Sequence, residues 1–346
     1  MKKQVKIYMQ GLLGAMCLVL CLSLGAMAKD FLYVPVNNHM HIINCETDSI
    51  IKTVHYNDYV ASCNPSHDGT KLYLNTYHKI YEFSTESNEI VDVHKFHTDL
   101  NRVTLGADME VSNDGRYLYF TASITKKKMN IPRLTVIPPQ LIVYDVQKKK
   151  VVKNFEIPNV MNGIYNIQND PDHLILVGQN VIKINLNNGE YEKLMGFLNP
   201  EKGEPPLNGL VVWDLRTPGG TGLSPIPTYS PTAMYYVIVD TNTGQVRRLK
   251  GEDLYFAYSS LVSPDKKYLY GIMDEVYKID YKTGETIDYA ILPHGTCYSM
   301  AITSDGKKLY AGPAGPDMTI YDTETMEAIG TIPLKGDGCA VIKIAK

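Results

Sequence analysis

Seven copies of one short pattern run through this chain, and they limit its fold more than any other feature. In each copy an apolar run ends in Asn, Asp or Ser, a brief polar turn follows, and a second β-rich run begins. The first polar residues of the turns are Asn44, Ser84, Asp145, Asn185, Asp240, Asp280 and Asp322. A short Asx or Ser side chain bonds backbone two residues on, and Gly189, Gly244 and Gly284 supply positive φ where a hairpin needs it.

The seven positions are separated by 40, 61, 40, 55, 40 and 42 residues. A module of about 40 residues with two enlarged copies is the length of a four-strand propeller blade, so the spacing predicts an all-β, seven-bladed β-propeller. A pair of β-sandwiches would have no reason to keep this period. A second turn signal precedes most modules: Ser66-His67-Asp68-Gly69, Ser112-Asn113-Asp114-Gly115, Asp170-Pro171-Asp172, Ser263-Pro264-Asp265-Lys266 and Ser304-Asp305-Gly306. It is placed between the first two strands of a blade. Strand-like runs such as Lys71-Leu72-Tyr73-Leu74 and Tyr117-Leu118-Tyr119-Phe120 follow it, and 25 Tyr against 7 Phe and one Trp suit strands and half-buried surfaces. The first module, beginning Phe31-Leu32-Tyr33-Val34, lacks an upstream strand, while Cys339-Ala340-Val341-Ile342-Lys343-Ile344 is left over at the end. Pairing the C-terminal strand with the N-terminal blade closes the ring and removes two exposed edges.

Residues 1–28 read as an export leader rather than as part of the fold. Lys2, Lys3 and Lys6 precede an uncharged apolar stretch from Gly11 to Leu24, and Ala26-Met27-Ala28 is a small-x-small cleavage site. An uncleaved anchor is the alternative. Removing the leader leaves a propeller of 318 residues, 29–346, and shifts the net charge from −3 to −6. No basic excess remains to neutralise nucleic acid. Cys17 and Cys21 leave with the leader, and Cys45, Cys63, Cys297 and Cys339 allow three pairings, with buried thiols an equal alternative.

The longest connections fall mostly on one face of the expected ring, the face shared by loops after the second and fourth strands of each blade. They are Ala122 to Gln140, with Lys126-Lys127-Lys128 and Pro138-Pro139, and the segments His97 to Gly106 and Met195 to Leu207. Long insertions among short turns mark this face as the functional one. Asp214 to Met234 lacks a clean turn and adds bulk to one face or the other. The chain carries no C-x-x-C-H, H-E-x-x-H, phosphate-cradling Gly-rich loop or G-x-S-x-G elbow. His39 and His41 share a strand face, but no third ligand joins them, so no metal is expected. Lys148-Lys149-Lys150 reads as a solvated turn and Trp213 as a core anchor.

Two resemblances follow from these residues. The stretch from Ser304-Asp305-Gly306-Lys307-Lys308-Leu309-Tyr310 to Ile320-Tyr321-Asp322-Thr323-Glu324-Thr325 resembles the YVTN-type propeller repeat. Leu141-Ile142-Val143-Tyr144-Asp145, Val211-Val212-Trp213-Asp214, Tyr255-Phe256, Leu292-Pro293-His294 and Tyr298-Ser299 resemble the β subunit of quinohemoprotein amine dehydrogenase. That resemblance implies a periplasmic heterotrimer oxidising a primary amine to aldehyde and ammonia. A small partner would hold cysteine tryptophylquinone, a di-haem cytochrome c partner would take the electrons, and this chain would dock both with no redox centre or catalytic residue of its own. Tyr255, Phe256, His294 and Tyr298 are the candidates for the partner-facing or pocket-walling surface. A stand-alone exported propeller binding a protein, peptide or glycan is the alternative.

Overall fold

Strand formation follows the repeat almost residue for residue. The computed structural model describes residues 28–346 apart from 131, 159–162, 210–217, 219, 313 and 339, and the described residues form strands and turns with no helix. The leader expected over 1–28 lies outside them except for Ala28, as do Trp213 and Cys339. The first blade contains β1 (Asp30–Val36), β2 (His39–Asn44) and β3 (Ser49–His55). The second is β4 (Ser62–Pro65), β5 (Lys71–Asn75), β6 (Lys79–Ser84) and β7 (Glu89–Lys95). The third is β8 (Asn101–Val111), β9 (Tyr117–Lys127), β10 (Leu134–Asp145) and β11 (Lys150–Glu156). The fourth is β12 (Gly163–Ile167), β13 (Asp170–Val177), β14 (Asn180–Asn185) and β15 (Tyr191–Gly196). The fifth shows β16 (Leu223–Tyr229), β17 (Met234–Asp240) and β18 (Gln245–Lys250) among the described residues. The sixth is β19 (Ser259–Val262), β20 (Tyr268–Ile272), β21 (Glu275–Asp280) and β22 (Thr286–Ile291). The seventh is β23 (Ser299–Ile302), β24 (Lys308–Gly312), β25 (Asp317–Asp322) and β26 (Ala328–Pro333). Finally β27 (Ile342–Ala345) pairs antiparallel with β1, Phe31 opposite Ile344, and closes the ring as the innermost strand of the first blade.

All seven repeat turns are built alike. The side-chain oxygen of Asn44, Ser84, Asp145, Asn185, Asp240, Asp280 or Asp322 accepts a backbone N–H two or three residues on, at 2.7 to 3.3 Å. The residue four positions after each has positive φ: Asp48, Asn88, Lys149, Gly189, Gly244, Gly284 and Met326. The first turns of four blades are equally uniform. A hydroxyl of Ser66, Ser112, Ser263 or Thr303 donates to the Asp two residues on, and that Asp accepts a further backbone N–H. In the last of these Thr303, not the expected Ser304, supplies the hydroxyl. Asp170-Pro171-Asp172 is not a turn: Gln168 and Asn169 make it, and Asp170 already pairs with Ile167 in β13.

Hydrophobic burial lies between the blades. Seven apolar clusters each join two neighbouring blades. A Leu-Tyr pair in the second strand of five blades divides this work, because successive strand residues point to opposite sides. Leu32, Leu72, Leu118, Leu269 and Leu309 pack toward the preceding blade, while Tyr33, Tyr73, Tyr119, Tyr270 and Tyr310 pack toward the following one. At ~25 cal/mol per Å² of apolar area, each interface depends on its neighbours for burial, so the ring stabilises as a whole.

The segment expected as a long loop is instead an extension of the sheet. In the third blade β8, β9 and β10 run 11, 11 and 12 residues, and the register continues to Leu134 opposite Lys127. Pro138-Pro139, which lack backbone donors, coincide with a register shift between Ile137 and Gln140, and β8 shifts between Leu105 and Met109. The three strands therefore bend out of the blade as an arm rather than a loose connection.

Candidate functional site

Strand alternation places the connections after the second and fourth strands of each blade on one face, which carries the arm, and the hairpin turns on the other. The four predicted residues divide within the first face. Tyr255, just before β19, is buried: its hydroxyl lies 2.6 Å from that of Tyr236, and its ring stacks on Tyr277 at 3.8 Å between centroids. Burial, foremost, holds the Tyr255 and Tyr277 hydroxyls well above the ordinary phenol range, so both remain protonated donors. Phe256 points the opposite way, is 45% exposed, and meets Tyr229 edge-on at 5.2 Å. Tyr298, before β23, makes the same edge contact with Tyr258, also at 5.2 Å, and its carbonyl accepts the Ser259 hydroxyl at 2.8 Å. His294 is exposed and its Nδ1 lies 2.7 Å from Asp317 Oδ2. Phe256 and Tyr298 each pair with an aromatic that the sequence did not single out, Tyr229 and Tyr258, giving two partly exposed aromatic pairs at the rim of this face. Tyr255 belongs to the blade interface behind it.

A cavity opens at the opposite mouth of the central channel. It has a volume of about 700 Å³ and is walled by the first hairpin turns of successive blades, including Ser66, Asn113, Gln168, Pro264 and Ser304, with Lys343 reaching it from β27. A β-carbon added at Gly69 would lie 3.6 Å from Pro218 Cβ and 3.4 Å from Ile344 Cγ2. Pro218 precedes the fifth blade, yet it sits against the second blade's turn, so the chain before β16 reaches across this mouth. Of the turnless stretch from Asp214 to Met234, residues 214–217 and 219 lie outside the described residues, and Pro218 contributes to this face.

Charged groups inside the channel are already matched. Lys343 Nζ donates to Ser304 Oγ at 2.6 Å, and Ser304 donates from Oγ to Asp30 Oδ1 at 2.7 Å and from its backbone to Oδ2 at 2.6 Å. Asp108 accepts from Asn64 Nδ2 at 3.1 Å and from the Ile164 N–H at 2.9 Å, and Glu110 accepts from the Val111 and Asn166 N–H groups. These bonds tie innermost strands of adjacent blades together. They fix the channel wall.

His39 and His41 do share a face, their rings 4.7 Å apart, and His55 lies 5.8 Å from His39. Both nitrogens of His41 are engaged, Nδ1 near Thr53 Oγ1 at 3.0 Å and Nε2 accepting the Lys335 N–H at 3.4 Å. Among the described residues the group whose ligand atoms converge is instead Glu82, Asp92 and His94. Lys71 pairs with Glu82 at 2.6 Å, Lys149 with Asp92 at 2.6 Å, and His94 bridges Glu82 to the Tyr144 hydroxyl of the next blade. Two ammonium groups occupy the charge a cation would need, so this cluster reads as a blade-to-blade tie. Burial pushes the Cys45 and Cys297 thiols up to about 12 and about 11, which keeps both as unreactive neutral thiols.

No model of a known protein family matches the chain, and neither does any curated protein. Solved structures do share its fold. Hydrazine synthase of Kuenenia stuttgartiensis superposes with a TM-score of 0.57 at 16% identity, covering 82% of this chain and 89% of that one. Dihydro-haem d1 dehydrogenase NirN, solved in complex with DHE, gives 0.55 at 14% identity over 92% of this chain and 75% of that one. Apo AztD from Citrobacter koseri gives 0.55 at 11% identity over 92% and 98%. The chain is similar to these proteins in its seven-bladed propeller fold.

Proposed function

We propose that this chain is a binding propeller that holds partner proteins on its long-connection face and performs no chemistry itself. The observation that carries this reading is the aromatic rim of two pairs, Tyr229 with Phe256 and Tyr258 with Tyr298, partly exposed at the strand connections of this face, where apolar area is available to a partner. In its finer form the reading makes the chain the propeller subunit of a periplasmic amine dehydrogenase. A small subunit with cysteine tryptophylquinone and a di-haem cytochrome c would be docked on that rim, and His294 would stand at its edge. The buried hydrogen bonds of the channel support a platform role, since its acids and bases serve the wall. Purification of the native protein should recover a haem-staining and a quinone-staining partner. Phe256→Ala with Tyr298→Ala should release them while leaving the ring folded. A stable monomer from its native source would overturn the reading.

The cavity of about 700 Å³ favours a second reading, a stand-alone propeller that binds a peptide or glycan at the other mouth. Protection of that mouth from hydrogen exchange by an added oligosaccharide, in a monomeric protein, would select it.

A further inference from the structure

The arm of the third blade has a use that neither reading assigns. Residues 115–144 contain no Asp or Glu in a chain that has 37 of them, yet Lys126, Lys127, Lys128 and Arg133 crowd the end of this stretch. Arg102 of β8 adds a fifth cation. Among the described residues none of the five pairs with a carboxylate.

Register sorts the arm into two sides. Val103, Ile124 and Ile137 form one cross-strand row, and Val103 and Ile124 pack with Phe96 on the third-blade core. The other side carries Arg102, Thr125 and Val136 in one row and Lys127 opposite Leu134 in the next. This second side is exposed: Leu134 is 63% exposed, Val136 73%, and Met129 at the turn 80%. The base of the arm is tied to the second blade, since Leu105 donates its N–H to Tyr77 O at 2.8 Å. It is a fixed, cationic and aliphatic surface on a protein whose net charge is negative.

We propose that this side of the arm rests on an anionic lipid bilayer. Leu134 and Val136 interleaved with Lys127 and Arg102 match the bilayer boundary, where the apolar groups enter the acyl region and the long cationic side chains extend their charges to phosphate. An acidic protein partner fits less well, because lysine is depleted where protein interfaces bury apolar area. The overall negative charge repels such a membrane everywhere else, so contact through the arm also sets the orientation of the ring. This inference is independent of amine oxidation and of the aromatic rim.

The test is co-sedimentation with vesicles. Asp30–Ala345 form one compact unit closed by β27, so the chain from Lys29 onward is the species to use, free of the apolar leader. Vesicles of phosphatidylcholine with 30% phosphatidylglycerol should bind it, phosphatidylcholine alone should not, and added salt should release it. Replacing Arg102 and Lys127, the cations of this side, by Gln should weaken binding about 30-fold, as two lost surface cations predict. Leu134→Ser with Val136→Ser should weaken it roughly 10-fold or more. A triple Gln change at Lys148, Lys149 and Lys150, which lie at a turn on the opposite face, should leave binding unchanged. Circular dichroism of each variant confirms that the ring is intact. The proposal is overturned by absence of vesicle binding, by equal loss in the control triple, or by indifference to the two Ser changes. The last result would identify the arm as a purely electrostatic surface for an acidic macromolecule.

Discussion

Acid should loosen the ring at its closure, and the site responsible is His41. This side chain is fully buried in β2, between the Thr53 hydroxyl and the Lys335 N–H of the segment that leads into the closing strand. Burial first, then the charges of His39, Lys335 and His55, lower its pKa from 6.5 to about 4. The unfolded chain therefore binds this proton at a higher pH than the folded one. Stability is undiminished above about pH 6.5, falls as the pH drops from there to about 4, and levels off below for this group. A separation of 2.5 units corresponds to about 3.4 kcal/mol in full, and about 2.5 kcal/mol of it is lost by pH 4.5. His39, lowered chiefly by burial, adds in the same direction. Turn carboxylates do not confuse the measurement: Asp145, Asp280 and Asp322 are held below the ordinary range by backbone N–H donors, so their contribution persists above about pH 4 and is lost beneath it. Urea unfolding at intervals from pH 8 to 4.5 should show the decline, and His41→Gln should flatten it whatever its effect at pH 8. If wild type and variant decline equally, or if the His41 ring titrates near 6.5 by NMR, the linkage is wrong.

Two further outcomes follow from the geometry. Tyr255→Phe strands the fully buried Tyr236 hydroxyl and should cost about 1 to 3 kcal/mol in urea unfolding, whereas Phe256→Ala next to it should change stability by less than about 0.5 kcal/mol. Lys266 holds φ 59° in a turn whose counterparts use Gly69, Gly115 and Gly306, and it is exposed, so Lys266→Gly should raise stability by about 0.5 to 1 kcal/mol and lift the thermal midpoint.

The repeat was legible because its turns are local chemistry. An Asx or Ser oxygen and a left-handed residue four places later lie within one short window, so seven hairpins and hence seven blades could be read without knowing what packs on what. Three of the left-handed positions are glycine and easily seen. Asp48 and Asn88 are not, and their reason lies in another blade: they accept the hydroxyls of Tyr310 and Tyr33 at 2.5 and 2.9 Å. The arm was read as a loop for a related reason. Its outer part lacks the alternation of a half-buried strand because both sides are exposed there, Lys126 and Thr135 on one and Lys127, Leu134 and Val136 on the other. The reach of Pro218 across the channel has no local signal at all, since it depends on which blade faces which around the closed ring.

The candidate rim shows where such reading stops. Tyr255 and Phe256 are adjacent and equally aromatic, and nothing in their composition separates a core residue from a contact residue. Burial alternates as the chain leads into β19: Tyr255 and Ala257 go inward, while Phe256 and Tyr258 stay at least partly outside. Parity alone would have paired Phe256 with Tyr258 once one position was fixed. What fixes it is the hydroxyl contact with Tyr236 on the neighbouring blade, because burying a phenol without a partner costs more than burying a phenyl ring. The tyrosine therefore takes the interior place, where a hydroxyl partner waits. Phenylalanine, with no group to satisfy, is left on the side where a partner's apolar surface can cover it.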